Sequence, residues 1–200
     1  MRKIAFASLS DFTSMSNQAW QIPSAGKLVL NDLGPIPIPG PSEVVVQISA
    51  VSLNYRDILV TDHSPDYPLQ HKENLIPAAD GAGTISAVGS GTEWKKGDRV
   101  VTNPNLWQTG NDSRDFHFDK CRGAGITDGT LQRYVLCDER CLFKAPANMT
   151  LQEASTIYTA GLTSYRALFH SDNLPKLGPG STVLTQGTGG VSCYAIQVGW

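Results

Sequence analysis

A membrane-spanning run, a dominant charge and paired cysteines are all absent from this 200-residue sequence. The formal net charge is −2, which gives no broad attraction to nucleic acid or to an anionic membrane surface. No apolar run reaches the roughly 18 residues of a membrane helix, and polar residues interrupt the stretch behind Arg2 and Lys3. We therefore expect a cytoplasmic protein with no nucleic-acid partner and no membrane partner.

The cysteines and histidines fit no common disulfide or zinc motif. No C-x-x-C pair occurs among Cys121, Cys137, Cys141 and Cys193, which favours free thiols in a reducing compartment. The alternative is a metal shared by Cys137 and Cys141, although no second pair or nearby histidine completes four ligands. We expect all of the histidines at the surface: His63, His71, His117 and His170.

Glycine and proline are plentiful, with 19 and 12 residues, and they separate short β-rich segments in the first half of the chain. The pattern predicts strands over 18–22, 27–31, 43–53, 82–88, 99–102, 131–137 and 142–144. In the third of these, Val44, Val46, Ile48 and Ala50 alternate with polar positions. A short helical turn is expected over 55–60. Many short strands with frequent turns predict a partly closed barrel.

The second part of the chain changes to an α/β pattern near residue 147. Thr150 and Glu153 have the spacing of a capping box, which predicts a helix start followed by helix over 154–168, with Gly161 as an interruption. A turn over 175–180 leads into an expected strand over 181–185. We therefore expect a β-rich unit over 1–147 and the start of an α/β unit over 148–200.

One segment, 103–130, shows no clear periodicity and contains Trp107, Phe116 and Phe118. Irregular segments of this length are usually functional lids or poorly ordered. The sequence leaves both interpretations open.

A glycine turn follows the expected strand and opens an apolar segment. Gly187 permits a tight turn, and Gly189 lets the backbone approach a pyrophosphate at the N-terminus of the next helix. Ser192 occupies the third fingerprint position, where glycine or alanine is usual. This spacing alone fits either a nucleotide-binding loop or a plain glycine-rich turn.

Together, several motifs resemble the medium-chain dehydrogenase/reductase superfamily, and most of all its zinc-free, quinone-oxidoreductase-like members. In order they are VSLNYRD (51–57), IPAADGAGTI (76–85), WKKGDRVV (94–101), AGLTSYRAL (160–168) and GTGGVS (187–192). The resemblance implies a mainly β fold, a GroES-like partly closed barrel over 1–147 that binds substrate. It further implies, over 148–200, a linking helix and an incomplete α/β start of an NAD(P)-binding Rossmann domain.

Zinc members of this superfamily use Cys, His and Cys as catalytic ligands. The matching positions in this chain are Asn54, Ala79 and Thr159, and these side chains are poor zinc ligands or offer no donor atom. The structural zinc lobe would fall within 103–130, which offers only Cys121. We therefore expect no metal at either site, with Asp80 hydrogen-bonded inside the cleft wall.

By resemblance, the expected catalytic residues are Asn54, Tyr55 and Arg56, which line the cleft and polarise the substrate oxygen. Tyr55 can equally be a packing residue, and Arg56 can simply pair with Asp57. The expected cofactor-binding residues are Thr163, Gly187, Thr188, Gly189, Gly190, Val191 and Ser192. Thr163 can instead serve helix packing.

The reaction implied is hydride transfer from NADPH, or NADH, to a quinone or an α,β-unsaturated carbonyl. An alcohol dehydrogenase-like reductase acting on an aldehyde and a catalytically silent GroES-like binding module are the alternatives. The residue that reads the ribose lies roughly twenty positions past the glycine turn, and the sequence ends at Trp200. We therefore expect a fragment or a shortened gene model of a longer enzyme, inactive alone, whose full-length form can be a homodimer.

Overall fold

A computed structural model describes residues 16–104, 117–170 and 177–199. The described chain begins with an antiparallel hairpin of β1 (Ser16–Ser24) and β2 (Lys27–Pro35). Gly26 completes the turn with φ 68°, a left-handed conformation that suits glycine. Both strands were predicted. Each is longer than the predicted range because the strands also pair beyond it, for example between Ser16 and Pro35.

The second sheet has five antiparallel strands in the order β6-β3-β4-β5-β7. They are β3 (Glu43–Ser52), β4 (Asp80–Val88), β5 (Arg99–Thr102), β6 (Tyr134–Asp138) and β7 (Leu142–Lys144). The hairpin contacts this sheet through a bridge between Ala19 and Gln132. Within the described ranges the strands do not close into a complete barrel, which agrees with the predicted mainly β, partly closed architecture.

The core of the sheet differs in one detail from the predicted alternation. Val44, Val45 and Val46 are all buried, although alternation places Val45 on the other face. The register of β3 against β4 shifts between Val45 and Val46, and Val45 is buried outside the main core cluster. The main core cluster consists of Val44, Val46, Ile85, Val100, Val135, Cys137 and Leu142.

Helix α1 (Tyr55–Thr61) follows β3 directly, as predicted. Asn54 is its N-cap, and the Asn54 backbone N–H donates to Asp57 Oδ2 at 2.8 Å. A carboxylate in the first turn is favoured by the helix dipole. The predicted cleft residues Asn54, Tyr55 and Arg56 therefore lie at the N-terminus of α1.

The predicted helix over 154–168 is divided in the structure. Helix α2 (Leu151–Ala154) begins at the predicted cap, where Thr150 Oγ1 accepts from the Glu153 N–H at 3.2 Å. A π-helix (Ile157–Leu162) and helix α3 (Thr163–Phe169) follow. The helix is interrupted at Ser155 and Thr156 rather than at Gly161, which lies inside the π-helix. The Ser155 and Thr156 hydroxyls donate to the Gln152 and Glu153 carbonyls, which competes with helical bonding.

The predicted strand over 181–185 is also wrong. Its residues have no strand structure and are largely exposed, and no strand of the described residues lies beside them. A strand needs a neighbour for its N–H and C=O groups, so β-branched composition alone does not produce one. Helix α4 (Gly190–Val198) does form after the glycine turn.

The segment 103–130 is partly described. Residues 105–116, which include Trp107 and Phe116, lie outside the described residues. Phe118 begins a short 3₁₀ turn, and the chain after it packs against the segment that leads into β4. A Cβ on Gly123 would lie 2.3 Å from the Ala78 oxygen, and one on Gly129 would lie 2.1 Å from the Pro77 oxygen. Only glycine fits at these two contacts.

Among the described residues, no helix has the length and apolar character needed to cross a membrane. Cys121, Cys137 and Cys141 are buried, Cys193 is exposed, and no disulfide joins any two of these cysteines.

Candidate functional site

Asp80 connects the sheet to the π-helix. Its Oδ2 accepts a hydrogen bond from Asn54 Nδ2 at 3.0 Å, and its Oδ1 accepts one from Thr159 Oγ1 at 2.7 Å. Asp80 begins β4 and is only 1% exposed, so these two donors replace the water that the carboxylate loses on folding. We call Asn54, Asp80 and Thr159 the Asp80 network.

A second buried carboxylate lies beside the Asp80 network. Asp57, in the first turn of α1, accepts from the Asn54 backbone N–H, so Asn54 donates to both carboxylates. Arg56 Nε lies 3.5 Å from Asp57 Oδ1, too far for a good hydrogen bond. Both of these atoms are buried without a hydrogen-bond partner.

The environment raises the pKa of both carboxyl groups. Burial raises the pKa of Asp80 most, opposed by the hydrogen bonds from Thr159 and Asn54. Burial likewise raises the pKa of Asp57, opposed by the Asn54 backbone N–H and by Arg56. Neighbouring carboxyl groups with raised pKa values are frequent at functional sites of proteins.

Arg56 is held inside the wall rather than presented to solvent. Its Nη2 donates to the Arg122 carbonyl at 2.5 Å, and its Nη1 lies 3.5 Å from Cys121 Sγ. Because both terminal nitrogens are engaged, the guanidinium fixes the segment around residue 122 to α1. This arrangement favours the pairing role over the direct substrate role expected for Arg56.

Tyr55 and Thr163 are accessible. Tyr55 is 74% exposed on α1, next to Asn54, and its ring is therefore free of the core packing that was its alternative role. Thr163 is exposed at the start of α3, in the turn after Thr159. The structure thus leaves both side chains available to a ligand.

The donor set at the three positions matched to zinc ligands does not fit zinc. Asn54 and Thr159 offer only an amide and a hydroxyl, each of which donates a hydrogen bond to Asp80, and the Ala79 side chain has no atom that can bind a metal. Zinc takes thiolate, imidazole or carboxylate ligands, and only the Asp80 carboxylate qualifies here. Among the described residues, no group of three or more histidine, cysteine or acidic side chains is arranged to hold a metal.

The glycine turn has the properties of a phosphate-binding loop. Gly187 has φ 86°, and a Cβ on Gly187 or Gly189 would meet no atom within 4 Å, so the turn is open. Gly189 is the N-cap of α4 and no side chain caps this helix, which leaves first-turn N–H groups for an anion. The residues present therefore fit the pyrophosphate of a dinucleotide.

Two contacts hold the shape of this turn. Ser192 Oγ donates to the Gln186 carbonyl at 3.1 Å, and Cys193 Sγ lies 3.6 Å from the Thr188 carbonyl oxygen. Ser192, the unusual residue at the third fingerprint position, thus ties the turn to the first residues of α4 through a hydrogen bond.

The turn and the Asp80 network meet at the π-helix. A Cβ on Gly190 would lie 3.2 Å from the Ala160 Cβ, next to Thr159 in sequence. Ser164 Oγ donates to the Val191 carbonyl at 2.7 Å. The predicted cofactor turn and the predicted cleft residues therefore both contact the segment 159–164.

Sequence reasoning missed the supporting residues Cys121, Arg122 and Tyr67. Arg122 is 5% exposed and donates from Nη1 to the Asp128 carbonyl at 3.0 Å. Tyr67 has a buried hydroxyl without a partner, and burial raises its pKa. No periodicity marks these residues, because they reach the site from irregular segments whose packing depends on glycine contacts.

Comparison with known proteins agrees with this geometry. The alcohol dehydrogenase GroES-like domain matches residues 40–147. A zinc-type alcohol dehydrogenase-like protein of Schizosaccharomyces pombe is 34% identical over 98% of this chain and 52% of its own length. A chloroplastic quinone-oxidoreductase QR1 of Triphysaria versicolor is 32% identical over 82% of this chain and 45% of its own.

A solved structure of an alcohol dehydrogenase has a similar fold. The crystal structure of an NAD-dependent alcohol dehydrogenase superimposes with a TM-score of 0.72 at 30% identity, over 90% of this chain and 54% of that one. The chain therefore spans about half the length of the relatives it matches.

Proposed function

Because this chain belongs to the medium-chain dehydrogenase/reductase superfamily through its alcohol dehydrogenase GroES-like domain, we propose that it serves in NAD(P)H-dependent reduction without a catalytic metal. The substrate class proposed is a quinone or an α,β-unsaturated carbonyl. The single observation that carries this proposal is the Asp80 network. A hydrogen-bonded carboxylate joins the two polar positions at which zinc members have metal ligands.

In this proposal the second unit, 148–200, binds the cofactor, and the first unit, 1–147, binds the substrate. Gly187, Thr188, Gly189, Gly190, Val191 and Ser192 would hold the pyrophosphate, and Thr163 the nicotinamide end. When bound, NADPH or NADH supplies the hydride. The open turn and the uncapped N-terminus of α4 support this assignment. Comparison of NADPH and NADH binding decides between the two nucleotides.

In this proposal, Asn54 and Tyr55 polarise the substrate oxygen. An amide nitrogen carries two hydrogens, and Asn54 Nδ2 uses one on Asp80, so the second can bind the substrate oxygen. The exposed Tyr55 hydroxyl is the proton donor to the developing enolate. Asp80 positions Asn54, and Arg56 acts through Asp57 and residue 122 as a positioning residue rather than on the substrate.

The test uses this chain and a form extended with the nucleotide-binding half of a relative, each titrated with NADPH and with NADH by nucleotide fluorescence. Oxidation of the nucleotide is then followed with a benzoquinone, an α,β-unsaturated ketone and an aldehyde as acceptors. The proposal predicts that the extended form binds saturably, turns over the first two acceptors and keeps its activity after dialysis against a metal chelator, whereas the 200-residue chain alone is expected to be inactive. Preference for the aldehyde together with chelator sensitivity would favour the alcohol dehydrogenase-like alternative.

Matched variants separate a chemical role from a structural one. Tyr55→Phe removes only the hydroxyl proposed as proton donor, and Tyr165→Phe makes the same change at a half-exposed ring on α3. We expect kcat to fall by about 10²-fold or more in Tyr55→Phe, the usual range for a general acid, and to stay unchanged in Tyr165→Phe. Binding of neither nucleotide would leave the silent binding module as the explanation for this polypeptide.

A further inference from the structure

Two imidazole rings meet in a cavity outside the site described above. The cavity measures about 500 Å³ and is formed by the end of α1 and the segment that follows it, with His63, Tyr67 and His71 in its wall. This volume lies within the range of small-ligand sites. The ring centroids of His63 and His71 are 4.4 Å apart with an interplanar angle of 76°.

The backbone holds His63 in an unusual conformation. Its φ is 50°, in the left-handed region that few residues other than glycine adopt. Its N–H donates to the Val60 carbonyl at 3.1 Å, which ties this conformation to the end of α1.

His71 is oriented by a backbone carbonyl. Its Nδ1 lies 2.8 Å from the Lys72 oxygen, which can only accept, so Nδ1 carries the proton and the neutral ring keeps a lone pair on Nε2. Metal-binding histidines are typically fixed in this way through the second ring nitrogen. Lys72 is itself anchored, because its N–H donates to the Gly125 carbonyl and its Nζ pairs with Asp128 at 2.6 Å.

The two rings meet edge to face, and their centroid separation also equals that of two imidazoles bound to one ion with an N–metal–N angle of about 90°. With a metal–nitrogen distance of about 2.1 Å, a bound ring has its centroid about 3.2 Å from the metal. Two such rings at 90° have centroids about 4.5 Å apart, whereas a tetrahedral angle gives about 5.2 Å. Square-planar and octahedral ions such as Cu²⁺ and Ni²⁺ favour the smaller angle and accept imidazole.

From this geometry we propose that His63 and His71 form a binding site for a divalent transition-metal ion of the Ni²⁺ or Cu²⁺ class. The two imidazoles are the protein ligands, and water in the open cavity fills the other positions. This site is separate from the Asp80 network and does not depend on the function proposed above. Binding would link the end of α1 to the segment that carries Tyr67.

The experiment titrates Ni²⁺, which does not oxidise thiols, into the tag-free chain by calorimetry. His63→Asn removes the imidazole but keeps a residue that tolerates positive φ. His71→Asn keeps an amide N–H in place of Nδ1 for the Lys72 carbonyl. His170→Asn is the matched control, because its ring contacts Tyr165 outside the cavity. Cys193→Ser controls for the exposed thiol.

The proposal predicts one equivalent of Ni²⁺, with an affinity at least tenfold weaker in each of His63→Asn and His71→Asn and unchanged in the two controls. Paramagnetic broadening of amide NMR signals would centre on residues 63–71. Unchanged affinity in either cavity variant, or broadening centred elsewhere, would overturn the site. Absence of any Ni²⁺ binding by the folded wild-type chain would overturn it as well.

Discussion

Asp80 and Thr159 are joined side chain to side chain at 2.7 Å although 79 residues separate them in the sequence. Asp80 begins a central strand of the sheet, and Thr159 lies in the π-helix that also contacts the glycine turn. This single hydrogen bond therefore links the β-rich unit to the segment expected to hold the cofactor.

Removing the Thr159 hydroxyl should destabilise the fold. Thr159→Val keeps the shape of the side chain but leaves Asp80 Oδ1 buried without its donor, and bonds to charged groups contribute roughly 1.5–3 kcal/mol. We expect a loss of that size in the free energy of unfolding, measured with urea. Thr163→Val, the same change at an exposed threonine, should alter it by less than about 0.5 kcal/mol. Equal effects in the two variants would show that the bond contributes nothing.

The Asp80 carboxyl should make stability depend on pH. Burial raises its pKa in the folded state above the ordinary value of 3.8, so the folded state binds a proton that the unfolded state has already lost. The resulting stabilisation is present below pH 3.8 and is lost as pH rises through the folded-state pKa. Asp80→Asn removes this titration while keeping a polar side chain for Asn54 and Thr159.

We therefore expect the difference in unfolding free energy between Asp80→Asn and wild type to grow in favour of the variant as pH rises from about 4. Urea unfolding at several pH values measures it. Burial also raises the pKa of Asp57, which both proteins contain, so the variant keeps a pH dependence of its own that cancels in this difference. A difference that stays constant with pH would argue against a perturbed Asp80.

Arg56 should prove structural. Arg56→Lys keeps the positive charge near Asp57 but loses the forked contacts with the Arg122 carbonyl and Cys121. We expect unfolding to become easier by about 1–3 kcal/mol. Arg140→Lys, on an exposed side chain paired with Asp138 at the surface, should change stability little. Unchanged stability in Arg56→Lys together with lost turnover would instead support the substrate role.

Close backbone contact around residue 123 should tolerate no side chain. Gly123 has φ 70°, and an added Cβ would approach the Ala78 backbone to 2.3 Å. Gly123→Ala should therefore reduce the free energy of unfolding by at least about 2 kcal/mol through strain and displacement. Gly178→Ala is the control, since nothing lies within 4 Å of its Cβ position. Thermal unfolding of both variants measures the effect, and tolerance of Gly123→Ala would contradict the packing described.

Much of the fold follows from local patterns in the sequence. The strand over 99–102, the start of α1 and the cap at Thr150 depend on neighbouring residues, and each was predicted correctly. The strand over 181–185 was not, because a strand depends on a partner that local composition does not reveal. The division of the helix after Ala154 depends on hydroxyls that compete for backbone carbonyls, which a periodic pattern does not register.

Some residues of the candidate site could be predicted from the sequence, and others could not. Resemblance brought Asn54, Ala79 and Thr159 together as a set, and the structure places the side chains of Asn54 and Thr159 on Asp80. The contacts of Arg56 with residues 121 and 122 depend on glycines that press one irregular segment against another. Such contacts arise from tertiary packing, so one sequence without relatives gives no signal for them.

The wide turn at Ile157–Leu162 also constrains how this protein can change in length. The hydrogen bonds of a π-helix span one more residue than those of the α-helices beside it, so losing a single residue there would restore ordinary helical spacing. Every position on one side of the deletion would then rotate by about 100° relative to the other. Either Thr159 would swing away from Asp80 or Ser164 would leave Val191. Insertions and deletions should therefore be far less tolerated in these six residues than substitutions.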